Sequence, residues 1–206
     1  MAVWVIKLGG SLLGTDELQH WMRIIAQHGD GRVVIVPGGG VFADTVRTLY
    51  AQVPMSDSCA HELAVSAMNQ LGTLLIDQMP ALVPAHSELE IAERSWQHRG
   101  IVWMPSKMVM TDGDDIPHSW DVTSDSLALW LANKISAKHV LLIKSKRPQQ
   151  NAMLSDLMQE GLIDPAFSKF TKGGEVKTWV VYKSDYHAFS DGFNEASLMR
   201  VGHLVQ

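Results

Sequence analysis

Three short apolar runs constrain this chain more than anything else in it: Val3-Trp-Val-Ile6, Val33-Val-Ile-Val36 and Val140-Leu-Leu-Ile143. A strand with one face in water alternates apolar and polar residues, whereas a run with no polar break has to be covered on both faces. Strands of that kind belong to parallel sheets, and parallel neighbours need a crossover between them, usually a helix. Residues 16–28 supply one between the first two runs, with Leu18, Trp21, Met22 and Ile25 recurring at helical spacing. The chain therefore opens as strand, helix, parallel strand.

The same alternation continues. Helices are expected over residues 42–52, over a longer stretch capped at Ser56 or Asp57 and ending near residue 78, and over 88–98, 124–135 and 152–160. Strands are expected at 81–85, 101–104, 140–143 and 179–181. The tail from Tyr182 is poorly patterned, although Leu204 and Val205 offer a last edge strand. This order predicts an α/β fold: one domain, a three-layer αβα sandwich on a mainly parallel open sheet. Loops at the carboxyl ends of such strands form the ligand crevice. Two looser stretches, 111–117 and 145–151, are candidates to line it.

Composition removes several classes of function. A formal charge of -5, from 17 Lys+Arg against 22 Asp+Glu, lacks the basic excess of a protein that tracks nucleic acid. Cys59 is the one cysteine, so no intrachain disulfide can form and a reducing, cytoplasmic setting is expected. Lys7 breaks the N-terminal apolar segment, which reads as neither a signal peptide nor a membrane span. The nine histidines form no HExxH motif and no tight Cys/His cluster, so no protein-bound metal is expected. Seven tryptophans and eleven methionines, mostly in apolar segments, suit a core or a subunit interface, in keeping with a homo-oligomer.

Three motifs carry the chemistry. Lys7-Leu-Gly-Gly-Ser11 leaves a strand and enters a helix: its glycines let a phosphate approach backbone N–H groups, and Ser11 can donate from its hydroxyl. Thr15-Asp16 stands where a Walker A loop needs Lys-Ser/Thr, so an ordinary P-loop is disfavoured. Pro37-Gly-Gly-Gly40 also follows a strand and opens a helix, and read as Gly38-x-Gly40-x-x-Ala43 it fits a loose dinucleotide fingerprint. An NAD(P)-binding enzyme is therefore one alternative, weakened because the region where an acidic residue is expected at a strand end is helical and offers only Asp57 near its start. The third motif, Asp121-Val-Thr-Ser-Asp125, crowds polar groups at a helix start, with Thr123 or Ser124 as cap. A carboxylate at Asp125 can hold the strand-end lysine in place.

Together and in this order, the three motifs resemble the amino acid kinase family, which includes acetylglutamate kinase, aspartokinase, uridylate kinase and isopentenyl phosphate kinase. The resemblance extends over roughly the first 145 residues. It implies phosphoryl transfer from ATP, with Mg²⁺, to a small acceptor. Lys7 would bridge the two phosphates and Asp125 would position it. Gly9, Gly10 and Ser11 would line the phosphates, while Gly38, Gly39 and Gly40 would cradle a phosphorylated acceptor, with Asp121, Thr123 and Ser124 nearby. Residues 1–120 would hold the acceptor, and an abbreviated part, about 121–206, the nucleotide.

One segment departs from the family. Members typically follow the later strand with Thr-Asp, but here Val140-Leu-Leu-Ile143 runs into Lys144-Ser-Lys-Arg-Pro148. Lys144 and Ser145 are candidates for the donor phosphates; a solvated basic loop or a lost nucleotide site are the alternatives, the last making the chain a non-catalytic binder of nucleotides or anions. Within the family, Leu142-Ile-Lys-Ser145 and Gly161-Leu-Ile-Asp-Pro-Ala-Phe167 resemble the small kinases of methanofuran-type cofactor synthesis, which phosphorylate an aminomethyl-furanmethanol phosphate to its diphosphate. An amine on that acceptor calls for a carboxylate, for which Asp112, Asp114, Asp115 and Asp121 are candidates.

Overall fold

The computed structural model describes residues 2–171 and 176–205. In chain order the elements are β1 (Trp4–Leu8), α1 (Asp16–His28), β2 (Val33–Pro37), α2 (Gly40–Gln52), α3 (Asp57–Gln78), β3 (Leu82–Ala85), α4 (Glu88–Trp96), β4 (Gly100–Trp103), α5 (Ser106–Asp112), α6 (Ser124–Lys134), β5 (His139–Lys144), α7 (Leu154–Gln159), β6 (Lys177–Tyr182), α8 (Glu195–Val201) and β7 (His203–Leu204). The seven strands form one sheet in the order β3-β4-β2-β1-β5-β6-β7. Strands β1 to β6 run parallel, and β7 pairs antiparallel with β6 at one edge. The unbroken apolar runs become β1, β2 and β5, the three central strands, covered on both faces.

Side-chain alternation divides the core into two layers. Val5, Val34, Val36, Val140 and Leu142 pack on one face with Leu127 and Leu131 of α6 and Val65 and Met68 of α3. Ile6, Leu8, Ile35, Leu141 and Ile143 pack on the other with Trp21, Met22 and Ile25 of α1, joined by Phe189 and Leu198. Lys7 is in register with Val36 and Leu142, so it shares the face of Val5 and lies toward α6. Lys144 ends β5 one position beyond the Leu8–Ile143 pair and falls on that same face. Alternation alone thus puts two cations under the start of α6.

Two helices depart from the sequence expectation. Residues 106–112, part of which reads as loose chain, form α5, and the poorly patterned tail contains α8. Each is seven residues long and buries only two side chains, too short for a 3.6-residue period to be recognised. Helix α4 stops at Trp96 rather than reaching His98, which has a positive φ of 55°. Trp96 is exposed rather than core. No helix among the described residues is long and apolar enough to cross a membrane.

Candidate active site

A buried carboxylate shared by two lysines lies at the carboxyl end of the central strands. Lys7 Nζ is 3.1 Å from Asp125 Oδ1, and Lys144 Nζ donates to Asp125 Oδ2 at 2.6 Å. Burial alone would raise the Asp125 carboxyl, but the two ammonium groups outweigh it and hold the group below the ordinary carboxylate range. Lys144 is pushed down to about 8, first by its burial and then by the nearby Lys7, with Asp125 acting against both. The solvated-loop reading of Lys144 therefore fails, since its side chain is only 12% exposed. The other two cations of that segment part company with it. Lys146 is exposed, while Arg147 makes a bidentate pair with Asp185 at 2.7 and 2.8 Å and lies over the Tyr182 ring.

Asp125 is placed by a residue from far along the chain. Thr123 occupies the N-cap position of α6, but its side chain accepts no cap bond. Asp164 Oδ2 instead accepts from the backbone N–H of Thr123 at 3.0 Å, from Thr123 Oγ1 at 2.9 Å and from the Ser126 N–H at 3.0 Å. Ser126 Oγ donates to its other oxygen. An aspartate 38 positions downstream thus does the work a local cap does elsewhere, which corrects the expected Thr123 or Ser124 cap. Burial raises the Asp164 carboxyl, the negative charge of Asp125 adds to this, and the donors from Ser126 and Thr123 oppose it.

The two glycine turns meet directly. A Cβ on Gly10 would lie 2.1 Å from Gly40 Cα, and one on Gly38 would lie 2.8 Å from Gly10 N. Gly9 runs beneath the tip of Lys7, whose Nζ is 3.0 Å from where its Cβ would be. Close approach of the two backbones, then, is what these glycines permit. Beyond them opens a cleft of about 210 Å³ lined by Gly10, Gly38, Gly39 and Gly40, by Ser124 and Thr123, and by side chains of α2 and α3.

Not every candidate lies in this cleft. Asp121 is exposed and outside its lining, as are Asp112, Asp114 and Asp115, the last accepting from Trp130 Nε1. The carboxylates that do line it are Asp44 and Asp57. Ser11 and Ser145 are exposed beside the lysines, with Ser11 Oγ 3.6 Å from the Gly9 Cβ position. Among the described residues no group of three or more His, Cys, Asp or Glu side chains could hold a metal.

Residues 2–147 match the model of the amino acid kinase family. The chain belongs to the amino acid kinase family. Over 140 residues it is 30% identical to [5-(aminomethyl)furan-3-yl]methyl phosphate kinase of Methanocaldococcus jannaschii, a match covering 67% of this chain and 63% of that protein. Its fold is that of uridylate kinase from Archaeoglobus fulgidus, with a TM-score of 0.69 at 18% identity over the full length of both chains. UMP kinase from Ureaplasma parvum superposes with a TM-score of 0.62 at 14% identity, over 87% of this chain and 88% of the other.

For this member of the amino acid kinase family, sequence reasoning left several site residues out. Asp164 sits in the quoted Gly161–Phe167 segment, but nothing local says which helix it caps. Asp44, Arg47, Asp57 and His61 line the cleft from α2 and α3, where Asp57 reads from sequence as a helix cap and the other three only as helix. Placing Arg47 three residues after Asp44 on a helix that begins with glycines was the available signal.

Proposed function

We propose that this protein transfers the γ-phosphoryl group of ATP to the phosphate of a small acceptor, converting a monophosphate ester to a diphosphate. The acceptor class is [5-(aminomethyl)furan-3-yl]methyl phosphate, the substrate in the name of its M. jannaschii relative. The observation that carries this reading is the meeting of two glycine turns: Gly9 lies against the Lys7 ammonium of the Lys7–Asp125–Lys144 cluster, while Gly10 and Gly38 to Gly40 line one small cleft beside it.

Phosphoryl transfer asks a protein mainly for in-line positioning and for neutralising charge on the transferred oxygens. The attacking atom is an oxygen of the acceptor phosphate, which is already ionised and needs no general base. It bonds to the γ-phosphorus as the bond to the β–γ bridging oxygen breaks, and ADP leaves. Asp125 is unsuited to take a proton, since both its oxygens face ammonium groups. Its role in this reading is to hold Lys7 and Lys144 on either side of the transferred group. Gly9 and Gly10 offer N–H donors, and the acceptor phosphate lies against Gly38 to Gly40 at the start of α2. We assign the donor to the carboxyl ends of β5 and β6, within the C-terminal part 121–206, with Lys144 on its phosphates and Ser11 and Ser145 at its edge. Mg²⁺ entering with ATP would neutralise charge on the donor phosphates, and among the described residues no group of three or more His, Cys, Asp or Glu side chains would hold it.

The test is an ADP-release assay with Mg-ATP over furan alcohol phosphates and UMP, alongside calorimetry with Mg-ATP. Turnover of an aminomethyl-furan phosphate is expected. Nucleotide binding without turnover on any acceptor would establish the non-catalytic alternative, and a flat NAD(P) titration is expected throughout.

A further inference from the structure

The cleft has two chemically different ends. Its less exposed part is glycine backbone with no charged side chain, whereas its mouth carries the exposed Asp44, Arg47, Asp57 and His118 together with Trp120. Two carboxylates against one guanidinium leave the mouth with an excess negative charge.

Asp57, Trp120, Arg47 and Asp44 form a connected chain through Tyr50. Tyr50, at the far end of α2, donates its hydroxyl hydrogen to Asp57 Oδ1 at the start of α3. Trp120 packs edge-on against Tyr50, with centroids 5.7 Å apart, and carries the Arg47 guanidinium 4.9 Å from its ring centre. Arg47 in turn donates to Asp44 at 3.2 Å. Arg47 thus partners Asp44 and covers the face of Trp120. Asp57 is different: its hydrogen bond comes from a neutral hydroxyl, and it is ion-paired to no described residue.

His61 and His118 stack with centroids 4.5 Å apart. Burial, and then the proximity of His118, push His61 down to about 4, so it is neutral at ordinary pH. Only 7% exposed, it also leaves Nε2 without a hydrogen-bond partner among the described residues, in the wall of the same cleft.

Resting on the acceptor reading above, we propose that the mouth selects an ammonium group: Asp57, oriented by Tyr50, and Asp44 bind a primary amine seated beside Trp120, so that the cleft prefers amine-bearing aromatic phosphates. Phosphate and amine then occupy opposite ends. A cleft of about 210 Å³ has room for one small ring with two arms. Asp57 and Asp44 act as specificity residues and take no part in transfer. Asp57 and Asp44 also replace Asp112, Asp114, Asp115 and Asp121 as the carboxylates for the amine.

The experiment measures kcat/KM by ADP release for two acceptors, [5-(aminomethyl)furan-3-yl]methyl phosphate and its analogue with methyl in place of aminomethyl. It uses the wild-type chain, Asp57→Asn and Tyr50→Phe. The wild type is expected to favour the amine by roughly tenfold or more, the size of a hydrogen bond to a charged group. Asp57→Asn should bring that ratio close to one, and Tyr50→Phe should lower it part-way. Equal kcat/KM for the two acceptors in the wild type overturns the amine proposal and leaves the kinase reading intact. An Asp57→Asn variant that slows both acceptors equally overturns the role of Asp57. Turnover of UMP alone, or of nothing, overturns the acceptor reading beneath the proposal.

Discussion

Lys7 and Lys144 share one carboxylate, and that sharing decides what each can do. Neither ammonium is free to wander, and each keeps N–H donors for phosphate oxygens. Lys7→Ala should lower kcat by about 10²–10³, the scale of losing one preorganised charge-stabilising donor, with far-UV circular dichroism unchanged. Lys144 adds a pH dependence whose sign is fixed. Its cationic form is the useful one, and with the group pushed down to about 8 that form is lost as pH rises through this value. We therefore expect kcat/KM, which reports the free enzyme, to fall above pH 8. Lys144→Arg should move that limb to higher pH, since a guanidinium stays charged throughout. A limb that stays in place in Lys144→Arg assigns it to another group. At this scale Lys7 and Asp125 were legible in the sequence because each stands beside a punctuation mark, a glycine pair or a helix start. For Lys144 only the charge was legible. Its neighbour Asp125 lies 19 residues earlier, and only the pairing of β1 with β5 brings Lys7 alongside both.

Helix α6 shows why local reading stopped short of the cap. Thr123-Ser-Asp-Ser126 carries every polar group a self-contained cap needs, yet Asp164 takes the role and ties the helix to the chain beyond α7. A cap supplied from another element also fixes the angle at which Asp125 meets the lysines. Asp164→Ala should cost about 2 kcal/mol, since it removes a cap and leaves buried donors unpaired. Urea titration would show the lower midpoint, and kcat should fall with it because Asp125 is no longer held. Unchanged kcat in a destabilised variant would separate Asp164 from positioning. The glycine turns make the complementary case. Gly10→Ala places a methyl carbon against the backbone of Gly40, and neither turn can give way without opening the cleft. Its expected effect is a raised KM for the acceptor with the overall helix content retained.

Across the whole molecule, the strand order does the assembling. Because β1 lies between β2 and β5, the loop after β1 touches the loop after β2 on one side, and the end of β5 on the other. The long uninterrupted runs made this sheet readable from sequence, since strands covered on both faces have few alternatives. What they did not reveal was the packing of α2 against α3, which shapes the cleft and brings Asp57 to Tyr50. Under the proposed function, Lys7 is common to both ligands and Asp57 private to the acceptor. A ligand that binds only the folded state at 100 times its Kd stabilises it by about 2.7 kcal/mol. Mg-ATP and the acceptor should each raise the thermal midpoint of the wild type. Lys7→Ala should shrink both shifts, because the proposed junction of the two phosphates lies at that side chain. Asp57→Asn should shrink the acceptor's shift and leave that of Mg-ATP in place. A Lys7→Ala variant that loses only one of the two shifts would assign Lys7 to that ligand alone, and the two phosphates would then have to meet elsewhere in the site.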